Sequence, residues 1–212
     1  MLHSFMGTGL EVGPGVLVPR AETELLGRTV LALLEGIEQP VVIDMGTGSG
    51  NLALAVAAGH PGVRVYGGDI TAEPIACARQ NAERLSLSER ARFEQGDLFA
   101  ALDAYDLTGK ADLVMMNPPY ISTHKLETES AFLLETEPRE AFDAGPYGIS
   151  LHQRLIAESQ PYLRDGGILA FEFGLGQERQ IKVLLTRSRA FSEPQFHNNE
   201  AGNPRVAVVR KL

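Results

Sequence analysis

The 212-residue chain has one cysteine, Cys77, which excludes an intrachain disulfide and predicts a reducing, cytoplasmic setting. No apolar run is long enough to cross a bilayer, and residues 1–9 lack the basic and apolar regions of a signal peptide. Basic residues are scarce: 19 Lys and Arg against 27 Asp and Glu give a net charge of −8, which disfavours a nucleic-acid partner. The five histidines show no ligand spacing, so no metal is expected.

The rest of the composition is that of one globular domain, and we assign residues 1–212 to it. Residues 1–15 are rich in Gly and Pro and are predicted to be irregular. Beyond them, strands are predicted at 41–44, 63–66, 91–94, 112–116 and 167–173, and helices at 21–35, 51–58, 72–85, 150–163 and 177–187. This alternation predicts an α/β fold with a mostly parallel, doubly wound sheet. The closing strands, near 191–197 and 205–210, have no helix between them and predict an antiparallel hairpin at one edge.

A glycine-rich turn follows the first of these strands. Gly46, Gly48 and Gly50 have the spacing G-x-G-x-G, which is neither the G-x-G-x-x-G of dinucleotide sites nor a phosphate-binding P-loop. Asp44, just before the glycines, would repel a phosphate and attract a cation. S-adenosylmethionine carries a sulfonium and an ammonium group and no phosphate, so this turn predicts that cofactor.

Acidic residues end the next two strands. Asp69 is placed to accept hydrogen bonds from the two hydroxyls of a ribose. Asp97 can accept from an adenine amino group while Leu98 and Phe99 cover the ring. A tight turn with two capping aspartates is the alternative, but three strand ends with suitable groups in the right order favour a cofactor site.

The sequence Asn117-Pro118-Pro119-Tyr120 follows the fourth strand. An amide nitrogen is a poor nucleophile because its lone pair is delocalised. The Asn117 side-chain oxygen and the Pro118 carbonyl can accept its two hydrogens and so direct the lone pair at a methyl group, while proline fixes the carbonyl direction. Tyr120 offers a flat face to a planar substrate. A simple strand terminator is the alternative for this corner taken alone.

Together these motifs resemble the class I S-adenosylmethionine methyltransferases and, more narrowly, the HemK/PrmC family, which methylates the glutamine amide in the Gly-Gly-Gln motif of release factors. The similarity also includes residues 16–24, 137–141, 148 and 166–177. It implies a Rossmann-like fold, S-adenosylmethionine as cofactor with S-adenosylhomocysteine as product, and a release factor as partner.

The resemblance also implies site residues. The cofactor set is Asp44, Gly46, Thr47, Gly48, Gly50, Asn51, Asp69, Ile70, Asp97, Leu98 and Asn117. The catalytic set is Asn117, Pro118 and Tyr120, and the substrate set is Pro19, Arg20, Glu24, Pro119 and Tyr120.

Two departures from the family keep other substrates open. Ala21 stands where the family has proline, and only 15 residues precede Val16, where bacterial members carry a helical domain that grips the release factor. A partner chain in place of that domain, or a small-molecule substrate for N-methylation, would each be consistent with this. A DNA adenine methyltransferase uses a similar corner but needs a base-flipping surface, which the sequence does not reveal. The glutamates between 121 and 148 form either a solvated face or a lid.

Overall fold

The computed structural model describes residues 1–120 and 149–212, so the predicted lid or solvated face lies outside the described residues. The strands are β1 (Leu2–Phe5), β2 (Thr8–Glu11), β3 (Val41–Met45), β4 (Arg64–Asp69), β5 (Ala91–Gln95), β6 (Ala111–Met116), β7 (Leu163–Glu172), β8 (Gln195–Asn198) and β9 (Pro204–Arg210). The helices are α1 (Glu24–Leu33), α2 (Asn51–Gly59), α3 (Ala72–Arg84), α4 (Ser150–Glu158) and α5 (Glu178–Ser188). Within these ranges, no helix has the length and apolar character needed to span a membrane.

Seven strands form the central sheet in the order β5-β4-β3-β6-β7-β9-β8. The first five of these are parallel, and β9 and β8 add to the edge as an antiparallel pair. The α/β fold with its C-terminal hairpin is therefore confirmed. Strand order reverses beside β3, and in open sheets of this kind ligands bind outside the carboxyl ends of the strands at such a point.

Helices cover both faces of the sheet, which explains the nearly continuous apolar sequence of its central strands. Side chains alternate between the faces: Val42 packs with α1–α3, whereas Ile43 and Met45 pack with α4 and α5. In β6, Leu113 likewise packs on the face covered by α1–α3, and Val114 packs on the face covered by α4 and α5. This two-sided burial holds the central strands, and with them the loops at their carboxyl ends, in fixed positions.

The prediction of irregular structure for residues 1–15 is wrong over its first part. β1 and β2 form an antiparallel hairpin with Leu2 opposite Glu11. Met6 and Gly7 make its turn with φ of 49° and 76°, the left-handed conformation that two-residue hairpin turns require. Phe5 and Leu10 are fully buried in the core. Each strand has only four residues, so the alternation was too short to stand out beside the glycines.

The predicted helix at 150–163 extends too far. α4 ends at Glu158, and β7 already begins at Leu163, four residues before its predicted start. Pro161 lies between them and lacks the N–H that an interior helical turn needs. β7 ends at Glu172, and because Phe171 pairs with Met116, Glu172 lies at the carboxyl end of the sheet beside the corner that follows β6.

Candidate active site

A cavity of about 280 Å³ opens at the carboxyl ends of the parallel strands. Its wall combines the glycine turn, the two aspartate-bearing strand ends and the corner after β6. The residues that line it are Leu17, Gly46, Gly48, Gly68, Asp69, Ile70, Thr71, Pro74, Asp97, Leu98, Met116, Asn117, Pro119, Leu151 and Arg154. The structure thus brings together residues that the sequence placed at three separate motifs.

The glycine turn has a backbone that other residues would adopt only with strain. Gly46, Gly48 and Gly50 have φ of 63°, 57° and 79°. A Cβ on Gly50 would lie 3.0 Å from Leu54 Cδ1 and 3.2 Å from Ala78 Cβ. Gly46 and Gly48 therefore line the cavity, while Gly50 permits the close packing of α2 behind it.

Asp44 lies beneath this turn and is almost completely inaccessible to solvent. Its Oδ2 accepts a hydrogen bond of 2.7 Å from Thr47 Oγ1, and its Oδ1 has no partner among the described residues. Burial raises the pKa of this carboxyl to about 7, although the Thr47 hydrogen bond opposes the shift. A cation in the cavity would favour its ionised form.

Asp69 lies on the cavity wall at the end of β4. Its Oδ2 accepts from the Gly48 backbone N–H at 3.0 Å, and its Oδ1 accepts from the Thr71 backbone and hydroxyl, each at 3.3 Å. Burial raises its pKa. The neighbouring Ile70 is 56% exposed and covers the rim of the cavity. Asn51, also in the predicted cofactor set, begins α2 and does not line the cavity.

Asp97 is held by an arginine that sequence reasoning left out. Arg154 Nη1 and Nη2 donate to its two carboxylate oxygens at 2.9 and 3.1 Å. Arg154 lies one helical turn after Leu151 on α4, and both line the cavity. The three-residue spacing of Leu151 and Arg154 on a predicted helix could have identified them as neighbours on one helix face. Each Asp97 oxygen keeps a lone pair for a further donor.

Asn117 has its two amide atoms in different surroundings. Nδ2 donates to the Thr23 hydroxyl at 3.0 Å. Oδ1 is buried and finds no hydrogen-bond partner within the described part of the chain. Pro118 is buried behind the wall, while Pro119 lines the cavity. The side chain that was predicted to accept a substrate hydrogen therefore has an acceptor without a partner at the cavity.

Tyr120 is fixed by contacts on three sides. Its hydroxyl donates to Glu22 Oε1 and accepts from Arg205 Nη2, both at 3.2 Å, and the Arg205 guanidinium lies 5.5 Å from the ring centre. Its backbone oxygen accepts from Gln177 Nε2 at 3.1 Å. Burial, together with the nearby Glu172 and Glu22, raises the pKa of its hydroxyl.

The predicted substrate set does not gather at one place. Glu24 accepts from the Met6 backbone N–H at 3.0 Å and from Arg28 at 2.7 Å, which ties α1 to the first hairpin. Glu22 is instead the acid that contacts Tyr120. Pro19 and Arg20 precede the 3-10 turn at Ala21–Thr23 and do not line the cavity, whereas Leu17 does.

Sequence reasoning gave no role to a buried polar group behind the corner. Glu172 pairs with Arg205 at 3.2 Å, with side-chain exposures of 2% and 12%. His152 Nε2 lies 3.0 Å from the Glu172 backbone oxygen, and burial lowers its pKa to about 4, so the imidazole is neutral. In the described ranges, no group of three or more His, Cys, Asp or Glu side chains could hold a metal ion.

Comparison with known proteins places the chain among methyltransferases. The family described as "Methyltransferase domain" matches residues 38–175. The release factor glutamine methyltransferase of Moorella thermoacetica is 37% identical over 207 residues, which are 98% of this chain and 71% of the relative. The enzyme of the same name from Fusobacterium nucleatum is 33% identical over 98% of this chain and 57% of its own length.

A solved structure agrees with this. The protein-(glutamine-N5) methyltransferase (release factor-specific) of Alicyclobacillus acidocaldarius superposes with a TM-score of 0.55 at 25% identity, covering 95% of this chain and 98% of that one. The similarity therefore extends well beyond the cavity residues, over almost the whole chain.

Proposed function

The chain belongs to the release factor glutamine methyltransferases within the methyltransferase-domain family, and we propose that it transfers a methyl group from S-adenosylmethionine to the side-chain amide nitrogen of a glutamine in a release factor. The observation that carries this proposal is the Asn117 Oδ1 atom, a buried acceptor without a partner beside the cavity. An N–H of a glutamine side-chain amide is the kind of donor that it lacks.

The cavity fits the cofactor by its shape and charge. Gly46 and Gly48 leave room for a ligand at the turn, and Asp44 and Asp69 favour a cationic group and hydroxyls over phosphate. We assign the methionine end to the turn, the ribose to Asp69, and the adenine to Asp97 and Leu98, with Arg154 fixing the Asp97 carboxylate. When bound, S-adenosylmethionine supplies an electrophilic methyl group on a sulfonium.

The corner after β6 orients the acceptor nitrogen. Asn117 Oδ1 and the Pro118 carbonyl accept the two amide hydrogens, which turns the nitrogen lone pair toward the methyl group. Tyr120 packs against the planar amide, and its fixed hydroxyl keeps the ring in place. No covalent intermediate with the protein is required, because positioning and hydrogen-bond alignment supply the rate enhancement. Pro119, which lines the cavity, remains a proposed contact for the protein substrate at this corner, and Pro19, Arg20 and Glu24 remain proposed contacts outside the cavity.

The proposal is tested by methyl transfer from labelled S-adenosylmethionine. A bacterial release factor, its Gln→Ala variant in the Gly-Gly-Gln motif and a small-molecule extract are offered separately. We expect label on the intact factor and none on the variant. Label in the extract alone would replace the protein substrate with a small molecule, while the cofactor assignment would stand.

A release factor as substrate also implies action in the cytoplasm, where translation occurs. The methyl acceptor is then a protein and not a nucleic acid.

Cofactor binding is expected to depend on pH through Asp44. Below about pH 7 this carboxyl is neutral in the free protein, and a bound cation favours its ionised form, so binding must expel a proton. The Kd for S-adenosylmethionine should therefore rise roughly tenfold between pH 7.5 and pH 6 and level off above pH 8. Isothermal titration calorimetry at these pH values measures it.

The matched control is Asp44→Asn, which keeps the side-chain shape and removes the titration. Its affinity should be lower at pH 7.5 and nearly independent of pH. An equal slope in both proteins would assign the proton to another group, such as Asp69 or the ligand itself.

A further inference from the structure

One buried side-chain amide joins the first hairpin to the glycine turn of the candidate active site. Asn81 lies on α3 and is completely inaccessible to solvent. Its Nδ2 donates to the Ser49 backbone oxygen at 3.0 Å and to the Glu11 backbone oxygen at 2.9 Å, and its Oδ1 accepts from the Glu11 backbone N–H at 2.8 Å. A single side chain therefore binds the backbone of two segments that are far apart in the sequence.

The Ser49 carbonyl belongs to the part of the turn where the backbone is easiest to reorient. Gly48 and Gly50, on either side of it, have φ of 57° and 79°, and glycine adopts positive and negative φ about equally readily. On the cavity side of the turn, the Gly48 N–H donates to Asp69 Oδ2 at 3.0 Å. On the buried side, Asn81 holds the Ser49 carbonyl. Rotation of that peptide unit would break the Asn81 hydrogen bond, so Asn81 favours the conformation in which Gly48 lines the cavity.

The other two hydrogen bonds of Asn81 hold the end of β2. They pair the side-chain amide with both the N–H and the oxygen of Glu11, as a neighbouring strand would. Beyond β2 the chain continues through the buried Val16 to Leu17, which lines the cavity. Asn81 therefore fixes the glycine turn and also the segment that leads to another part of the cavity wall.

The chemistry of the Asn81 amide matches the three backbone groups around it. An asparagine side chain has one acceptor oxygen and two N–H donors, and the oxygen and the nitrogen here each face groups of the opposite kind. The reversed amide would place Nδ2 against the Glu11 N–H, so Glu11 fixes the orientation that lets Asn81 donate to Ser49. If the hairpin left α3, water would reach Asn81, and its amide would be free to turn away from Ser49.

We propose that Asn81 is a positioning residue for the methyl donor: it holds the glycine turn in the conformation that binds S-adenosylmethionine, and it does so only while the first hairpin is docked on α3. Asn81 itself does not line the cavity. The inference rests on the proposed function for the identity of the donor alone. Affinity for the donor and docking of the hairpin are then linked, so each favours the other.

Asn81→Leu tests the proposal, because leucine is close to asparagine in shape and can neither donate nor accept. The turn then spends less time in the binding conformation, and the apparent affinity falls with that fraction. We expect the Kd for S-adenosylhomocysteine, measured by calorimetry, to rise about 10- to 100-fold. With saturating S-adenosylmethionine, kcat on whichever acceptor the enzyme methylates should change far less, because the hydrogen bonds of Asn81 reach the turn and the hairpin rather than the corner after β6.

Thr29→Val is the matched control for the loss of a buried polar group. Thr29 is buried in α1, and its hydroxyl donates to the Leu25 backbone oxygen within that helix. Valine keeps the shape and removes the hydroxyl, so thermal stability should fall while the Kd for S-adenosylhomocysteine stays within about twofold. A similar rise of the Kd in both variants, or an unchanged Kd in Asn81→Leu, would overturn the proposal.

Hydrogen exchange of the unaltered protein measures the linkage without any substitution. The Glu11 N–H is bonded to Asn81 Oδ1, so its exchange reports release of the hairpin from α3. Saturating S-adenosylhomocysteine should slow this exchange about fivefold or more. The Ser192 N–H, which donates to the Arg210 backbone oxygen near the amino end of β7, should slow far less. Equal slowing of both amides would mean that the ligand stabilises the whole fold, and the proposed linkage would be wrong.

Ligand binding by the unaltered protein separates this proposal from the proposed function. If the unaltered protein binds S-adenosylhomocysteine and Asn81→Leu binds it equally well, the role of Asn81 is wrong and the proposed function stands. If the unaltered protein does not bind this ligand, the assignment of the donor is wrong and the role of Asn81 falls with it. The identity of the methyl acceptor affects neither outcome.

Discussion

Asn117→Ala is expected to lower kcat about 100- to 1,000-fold, the loss typical of removing one preorganised hydrogen-bond partner from a reacting group. Alanine removes Oδ1, the buried atom without a partner at the cavity. The Pro118 carbonyl then remains as a single acceptor and cannot orient both amide hydrogens. Single-turnover methylation of a release factor with saturating S-adenosylmethionine measures the effect.

Asn117→Asp is the informative companion, because aspartate keeps an acceptor oxygen but cannot donate to Thr23. It should retain more activity than alanine and less than asparagine. The Kd for S-adenosylhomocysteine should stay within about threefold in both variants. A parallel loss of cofactor affinity and turnover in Asn117→Ala would make this side chain a cofactor ligand rather than the acceptor-orienting group.

Asp69→Ala is expected to weaken S-adenosylmethionine binding about 100-fold. A hydrogen bond to a charged group contributes about 1.5–3 kcal/mol, and two ribose hydroxyls would lose one such acceptor carboxylate. The loss also frees the Gly48 and Thr71 N–H groups that Asp69 holds, so the turn itself loosens. Calorimetry gives the Kd, and urea unfolding shows how much of the effect is structural.

A ligand without ribose hydroxyls separates the direct contact from the loosened turn. The unaltered protein should bind S-adenosylhomocysteine far better than its 2′,3′-dideoxy analogue, and Asp69→Ala should bind the two alike. Asp165→Ala is the control, because Asp165 is exposed near the amino end of β7, away from the cavity. If Asp69→Ala still discriminated between the two ligands, the ribose assignment would be wrong.

The sequence was sufficient to predict features that depend on local pattern. The glycine turn, the aspartates at the ends of β4 and β5 and the corner after β6 each lie within a few residues of a buried strand. Their meeting at one edge of the sheet follows from parallel topology alone. The C-terminal hairpin was likewise predictable, because two apolar runs close together without an intervening helix leave no other connection.

The contacts behind the corner could not be predicted in this way, because they join distant parts of the chain. Asn117 is 94 positions from Thr23, and Arg205 is 33 from Glu172. Local pattern predicts a helix cap at Thr23 and a strand residue at Glu172, but it does not predict which side chains these two residues contact. Glu22 and Glu24 differ by two positions on a tight turn, and only the position of the first hairpin decides that Glu24 faces Met6 and Glu22 faces Tyr120.

The sheet order also has a consequence for the growing polypeptide. The turn and Asp97 follow β3 and β5, and Asp69 ends β4; these three strands are consecutive along the chain and adjacent in the sheet. Leu151 and Arg154 on α4 also line the cavity, and Arg205, which contacts Tyr120 of the corner, comes from β9, the last strand. During synthesis, the three motifs that face the methyl donor therefore emerge before the residues that complete the cavity wall and before the strand that supports the acceptor corner. A nascent chain has the parts that contact the methyl donor while it still lacks both the complete cavity and the means to use the donor.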